Sequence, residues 1–177
     1  MALSGRNRRL KIEWETLEAG LDGSKEITCR PVRFNGDGLP TAYLVEYNIR
    51  SICGVSEAPD GSNPPVFADR FLMRLELPEG YPSFDAAPVL RFLTRDEEGT
   101  EIPHPWHPNI RYYGDFAGRV CLNSVDTFEP LAWMVQRVAM YLKYERYHAI
   151  NEPPYPEDQT VAAWVIRQGE KNDWICF

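Results

Sequence analysis

Apolar residues fall into helical and strand-like stretches that succeed one another along the chain. Leu10, Trp14 and Leu17 stand at i, i+4 and i+7, the stripe of a helix whose other faces are basic and acidic. Ser4 or Asn7 is placed to cap it, and the helix is expected to end before Gly20. Ile27 to Phe34 reads as a strand closed by the turn Asn35-Gly36-Asp37-Gly38. Tyr43, Val45, Tyr47 and Ile49 then alternate with polar positions, and Phe71, Met73, Leu75 and Leu77 do so again, giving two strands with one buried face each. Val89 to Leu93 makes a shorter fourth strand between Pro88 and the acidic turn Asp96-Glu97-Glu98-Gly99. The stretch Glu57 to Pro65 has the composition of a long surface loop. The expectation is a helix followed by a four-stranded antiparallel meander.

From Ile102 to Pro130 neither period holds, and Pro103, Pro105 and Pro108 make regular structure costly. A long irregular segment in a folded chain is usually functional. Leu131, Met134, Val135, Val138 and Leu142 then give a second helical stripe, and beyond Pro153-Pro154-Tyr155-Pro156 a last helix runs from about Gln159 to Gln168. Helices segregated from the sheet define an α+β class.

Composition narrows this. At 177 residues and 44% apolar content the chain can bury one core, and a single domain over residues 1–177 is expected. No apolar run approaches the length of a membrane span, about eighteen residues, and no apolar region follows the basic start, so the expectation is a cytoplasmic protein without a membrane partner. A net charge of −7 argues against nucleic acid as a partner. The charge is uneven: residues 1–33 hold seven Lys/Arg against five Asp/Glu, and the remainder twelve against twenty-one. Arg6, Arg8, Arg9 and Lys11 form the densest basic cluster in an acidic chain. The apolar end Asp173-Trp174-Ile175-Cys176-Phe177 either packs on the domain or docks a partner.

Cysteines at 29, 53, 121 and 176 lack the close spacing of a zinc site and are too few for a disulfide scaffold at this length. His104 and His107 are spaced as an i, i+3 pair, but prolines preclude a helix there and no further ligand lies at ligand spacing, so no metal is expected. His107 is expected to hydrogen-bond backbone in the loop.

Inside the irregular segment lies His107-Pro108-Asn109-Ile110, followed by Gly118-Arg119-Val120-Cys121-Leu122. Upstream stand Leu77-Pro-Glu-Gly-Tyr81-Pro82-Ser-Phe84, Pro88, Phe92 and Thr94; downstream stand Phe128-Glu129-Pro130 and Tyr155-Pro156-Glu157-Asp158. In this order, over roughly residues 6 to 168, the chain resembles the ubiquitin-conjugating (UBC) enzymes, and its divergence resembles their stand-alone bacterial relatives. Asn109 and Cys121 are twelve positions apart, four more than is typical of that family, so residues 111–117 form an enlarged loop beside the cysteine. Phe128 and Tyr155 replace the family's usual Trp and Asn.

The resemblance implies a UBC fold in which Cys121 carries a ubiquitin-like modifier as a thioester. Besides the modifier it implies three further macromolecular partners, an activating enzyme that docks on the first helix through Arg6, Arg8, Arg9 and Lys11, a target protein and, where one is used, a ligase. No cofactor is expected, since the activating enzyme consumes the ATP and no P-loop is present here. The residue chemistry agrees. A thiolate is both nucleophile and leaving group, and an ordinary thiol, with a pKa near ~8.5, still reacts with an activated thioester. Amine attack creates an oxyanion to which an Asn amide can donate, so Asn109 is either that donor or a structural turn residue. Asp158 either orients the incoming lysine or merely caps the last helix. Two rival functions remain open: a silent UBC-fold module that binds a ubiquitin-like protein, and a cysteine hydrolase pairing Cys121 with His107 or His148.

Overall fold

The alternation seen in the sequence becomes the inner face of a sheet. In a computed structural model, which describes residues 4–122 and 129–177, helix α1 (Gly5–Leu21) leads into β1 (Ile27–Phe34), β2 (Pro40–Tyr47), β3 (Ser51–Val55), β4 (Pro65–Ala68), β5 (Phe71–Glu76) and β6 (Val89–Phe92). Helices α2 (Leu131–Leu142) and α3 (Gln159–Trp164) follow, and α3 runs on into a π-helical turn, Val165–Gly169. The main sheet is antiparallel in the order β1-β2-β5-β6, and β3-β4, which fall between β2 and β5 in sequence, form a separate hairpin. This is the α+β arrangement the patterning predicts.

Register places Tyr47 opposite Phe71, Val45 opposite Met73 and Met73 opposite Phe92, so buried side chains from three strands share one face. Leu10 and Leu17 of α1 and Met134, Val135, Val138 and Leu142 of α2 close over that core. The Tyr47 hydroxyl donates to the Val135 carbonyl at 3.0 Å, tying sheet to helix inside it. A second cluster joins Ile52 of β3, Trp106, Tyr144, Val161, Trp164 and Ile175. The chain's end belongs to this cluster: Trp174 stacks on Trp164, Ile175 is buried, and the Phe177 ring meets Phe67 edge-on at 5.2 Å. Packing on the fold is thus the outcome for the apolar terminus.

Local boundaries differ from the expectation. Helix α1 does not end before Gly20 but runs to Leu21, and Gly20 lies beside α2, where a Cβ would be 3.3 Å from that of Ala132. Of the two proposed caps, Ser4 holds the position, its Oγ accepting from the Asn7 N–H at 3.2 Å, while the Asn7 side chain reaches across to Asp37. The second strand begins at Pro40 and stops at Tyr47, where the Asn48 N–H turns to the Glu26 carbonyl. The hairpin β3-β4 was not legible as strands, for each is short and a register shift between Ile52 and Gly54 breaks the alternation. The Glu57–Pro65 stretch is its connection, with Pro65 itself paired to Val55. No described helix is long and apolar enough to cross a membrane.

Candidate functional site

His107 organises the loop that leads to the cysteine. Its ring is buried, stacked on Tyr141 with centroids 4.8 Å apart. Nδ1 accepts from the Asn109 N–H at 3.1 Å, which obliges Nε2 to carry the proton and donate to the Arg146 carbonyl at 3.0 Å. Burial pushes the pKa of this imidazole down to about 3, so it is neutral in the folded protein. The Pro108 carbonyl accepts from the Asp158 N–H at 3.0 Å. Asn109 is 1% exposed, and its Oδ1 accepts from the His148 N–H at 2.9 Å. A backbone donor at that distance fixes which end of the amide is oxygen, so the amide nitrogen faces the other way.

The enlarged loop is absorbed without displacing the cysteine. The Arg111 N–H donates to the Arg119 carbonyl at 2.9 Å and the Gly118 N–H to the Arg111 carbonyl at 2.7 Å, closing residues 112–117 as the tip of a hairpin. Below it Ile110 bridges Val120, and the Cys121 N–H donates to the Asn109 carbonyl at 2.9 Å. On its other side this segment is held to β6, with the Phe92 N–H on the Gly118 carbonyl at 2.8 Å and the Val120 N–H on the Leu90 carbonyl at 3.0 Å. Gly118 has φ +86°, and a Cβ there would lie 2.0 Å from the Phe92 oxygen, so only glycine fits. Cys121 is partly exposed at the end of this clamped segment, followed by buried Leu122. The Tyr141 hydroxyl is directed at its carbonyl, at 3.4 Å. The structure therefore brings Cys121 and the His107-Pro108-Asn109 triplet together.

Asp158 occupies the N-cap of α3. Its Oδ1 accepts from the Thr160 and Val161 N–H groups at 3.0 and 3.2 Å, and its Oδ2 from the Tyr112 N–H at 2.9 Å. With 3% exposure and both oxygens engaged, the carboxylate is built as a structural tie between α3 and the hairpin. Beside it Glu157, not singled out from the sequence, receives Arg119 at 2.6 Å and Arg111 at 3.4 Å. Those arginines sit at the two legs of the hairpin, so one carboxylate latches both to the start of α3. The signal was present as the acidic pair Glu157-Asp158, but its cationic partners lie 38 and 46 residues away.

The basic cluster at the start is divided. Arg8 and Lys11 are exposed, Lys11 lying 3.7 Å from Glu15. Arg6 is partly buried and donates to the Pro78 carbonyl at 3.3 Å. Arg9 is a correction to the picture of one basic docking face: its guanidinium turns inward to Glu13 at 2.5 Å and lies over the Tyr81 ring. Glu13 is 2% exposed; its Oε1 also accepts from the Tyr81 hydroxyl at 3.0 Å, and its Oε2 from the Leu131 N–H at 2.8 Å. Pro130, at the N-cap of α2, supplies no side-chain cap, so the carboxylate on α1 does that work for α2. Tyr81 of the Tyr-Pro motif thus acts through this buried acid. Phe128 lies outside the described residues.

Both candidate bases are bonded to backbone. Both His107 nitrogens are engaged by backbone, and His148 Nε2 lies 3.1 Å from the Glu152 carbonyl. His104 stacks on Tyr112 and reaches the Tyr112 carbonyl. Among the described residues no cluster of three or more His, Cys, Asp or Glu is placed to hold a metal ion.

Solved structures of ubiquitin conjugating enzymes share this architecture. The H. polymorpha ubiquitin conjugating enzyme Pex4p, in complex with the soluble domain of Pex22p, matches with a TM-score of 0.56 and 16% identity over 97% of this chain and 93% of that one. The ubiquitin conjugating enzyme E2 domain from Toxoplasma gondii matches with a TM-score of 0.51 and 17% identity over 95% of this chain and 90% of that one. No protein-family model matches the sequence, and no curated protein matches it. The chain has the ubiquitin-conjugating fold.

Proposed function

We propose that this chain is a ubiquitin-conjugating-type acyltransferase in which Cys121 carries a ubiquitin-like modifier, or another activated acyl group, as a thioester. One observation carries the reading: a partly exposed cysteine whose backbone N–H is bonded to the Asn109 carbonyl of a buried His-Pro-Asn loop. An activating enzyme, which consumes the ATP, presents the modifier as its own thioester. The Cys121 thiolate adds to that carbonyl, and the donor's thiolate leaves. A target amine, such as a lysine side chain with or without a ligase, then attacks; the new C–N bond forms, the C–S bond breaks, and Cys121 departs as the thiolate while the ammonium proton passes to solvent.

The site is organised for the second step. Oxygen of the Asn109 amide is fixed by His148, leaving the NH2 end as donor to the tetrahedral oxyanion. His107 holds that amide's backbone from below in its neutral form. Asp158 supports the chemistry as a positioning residue, through the Pro108 and Tyr112 backbone. Exposed Arg8 and Lys11 offer the positive charge that steers an acidic docking surface. Against the hydrolase alternative stand the backbone bonds that hold His107 through both nitrogens and His148 through Nε2. The test is to mix the protein with candidate modifiers and activating enzymes encoded beside it, with ATP. A band shift on a non-reducing gel that thiol reductant removes is expected; no thioester with any of them refutes the reading.

A further inference from the structure

A pocket of about 370 Å³ opens beside Asn109, bounded by the second half of α2 and the segment that follows it. Asn109 is 1% exposed; its Oδ1 is taken by the His148 N–H, while its Nδ2 has no hydrogen-bond partner among the described residues. A buried amide left open in this way calls for an acceptor from outside, because burial strips its water and gives nothing back. That amide is the proposed oxyanion donor, so the pocket it lines is where the reacting carbonyl and the incoming amine meet. Two cations line the same pocket. Arg137 of α2 is half-buried, its guanidinium held 4.9 Å over the Trp133 ring, and Arg146 is exposed beyond the end of the helix. Neither is within ion-pair distance of a carboxylate among the described residues, although Glu145, the one acid among the described residues of the lining, precedes Arg146 in the chain. Tyr141 joins the pocket to the cysteine. Its hydroxyl is directed at the Cys121 carbonyl at 3.4 Å; burial raises the pKa of the phenol, and Arg137, Cys121 and Arg146 all bear on its charge.

We infer that this pocket selects the acceptor: Arg137 and Arg146 hold a carboxylate carried by the amine-bearing molecule and so bring its amine to the acyl carbon beside Asn109. The inference rests on the acyl-transfer reading of Cys121 and names the acceptor class, a lysine-type amine within one residue of a carboxylate. A guanidinium fork matches a carboxylate, and two unpaired guanidinium groups in one pocket leave that anion as the missing charge. Glu145 favours an acceptor that brings a cation as well, so an amine bearing a carboxylate suits the pocket better than a bare anion. The bond chemistry is that of the acyl transfer: the amine nitrogen bonds to the acyl carbon, the C–S bond breaks, Cys121 leaves as the thiolate, and the ammonium proton passes to solvent.

Single-turnover discharge of the pre-charged full chain to Nα-acetyl-lysine and to Nα-acetyl-lysinamide tests this, since the two share one ε-amine and differ in the carboxylate. The acid is expected to react about tenfold faster, the worth of one charge-assisted contact. Arg137→Gln with Arg146→Gln removes that preference by slowing the reaction of the acid. Arg137→Lys with Arg146→Lys keeps part of it, and thermal melts check that each variant is folded. Three outcomes would each overturn the inference while leaving the acyl-transfer reading intact: equal rates for the two acceptors in the native protein, a preference that survives in the folded Gln variant, or equal slowing of both acceptors, which would assign the arginines to the modifier. Failure of Cys121 to charge at all instead refutes that reading, and the acceptor role with it.

Discussion

At the scale of single residues, four cysteines divide by environment. Burial raises the thiol pKa of Cys53 and pushes that of Cys29 up to about 12, so neither is a ready nucleophile, and Cys176 sits exposed at the terminus. Cys121→Ser is therefore expected to give no adduct or a reductant-resistant ester on a non-reducing gel, while serine at 29, 53 or 176 leaves charging intact. Asn109 and Asp158 are separated by a different measurement. Asn109→Ala is expected to charge normally but to discharge to free lysine about a hundredfold more slowly in single turnover, as for loss of one oxyanion donor. Asp158→Ala removes a helix cap and orphans the Tyr112 N–H, and its effect is expected first in a melt, as a loss of about 1–2 kcal/mol. The motif residues were legible in the sequence because they are contiguous. Glu157 and Glu13 were not, since their meaning depends on partners far along the chain.

Among elements, the hairpin of residues 111–119 shows how a longer loop is accommodated. Its legs zip onto each other and onto β6, so the added length projects as a tip instead of pushing the cysteine away from Asn109. Gly118 makes this possible. Gly118→Ala places a Cβ against the Phe92 carbonyl and requires a left-handed φ of an L side chain, and is expected to cost more than about 1 kcal/mol. A chain of this size then melts at least about 2–4 °C lower, and charging of Cys121 falls with it. Sequence periodicity located α1, α2, β2 and β5, each with a stripe or alternation long enough to read, and the turns and prolines that bound them placed β1, β6 and α3. It failed for β3-β4, where five- and four-residue strands with a register shift carry no period.

For the molecule as a whole, buried His107 links stability to acidity. Burial depresses its folded pKa to about 3 from the ordinary 6.5, so above pH 6.5 it is neutral in both states and imposes no pH dependence. As pH falls below 6.5 the unfolded chain takes up the proton and the folded chain does not. Stability is then lost by about 1.4 kcal/mol per pH unit until pH 3. Denaturant melts at stepped pH should show this slope, and His107→Gln should flatten it. The exposed part of the basic helix makes a second global prediction. Arg8→Glu with Lys11→Glu is expected to slow charging of Cys121 most at low salt, the difference closing as ionic strength rises; equal rates at every salt concentration would remove the steering role.

The Glu13 carboxylate carries a last consequence. Because it lies on α1 and holds the Leu131 N–H, the opening turn of α2 is finished by a group borrowed from 118 residues away. A force that lifts α1, from a docking partner or from heat, withdraws the acid from the Leu131 N–H and from the Tyr81 hydroxyl in the same motion. The amino-terminal helix is thus a keystone, whose seating the start of α2 and the Tyr-Pro turn sense at once.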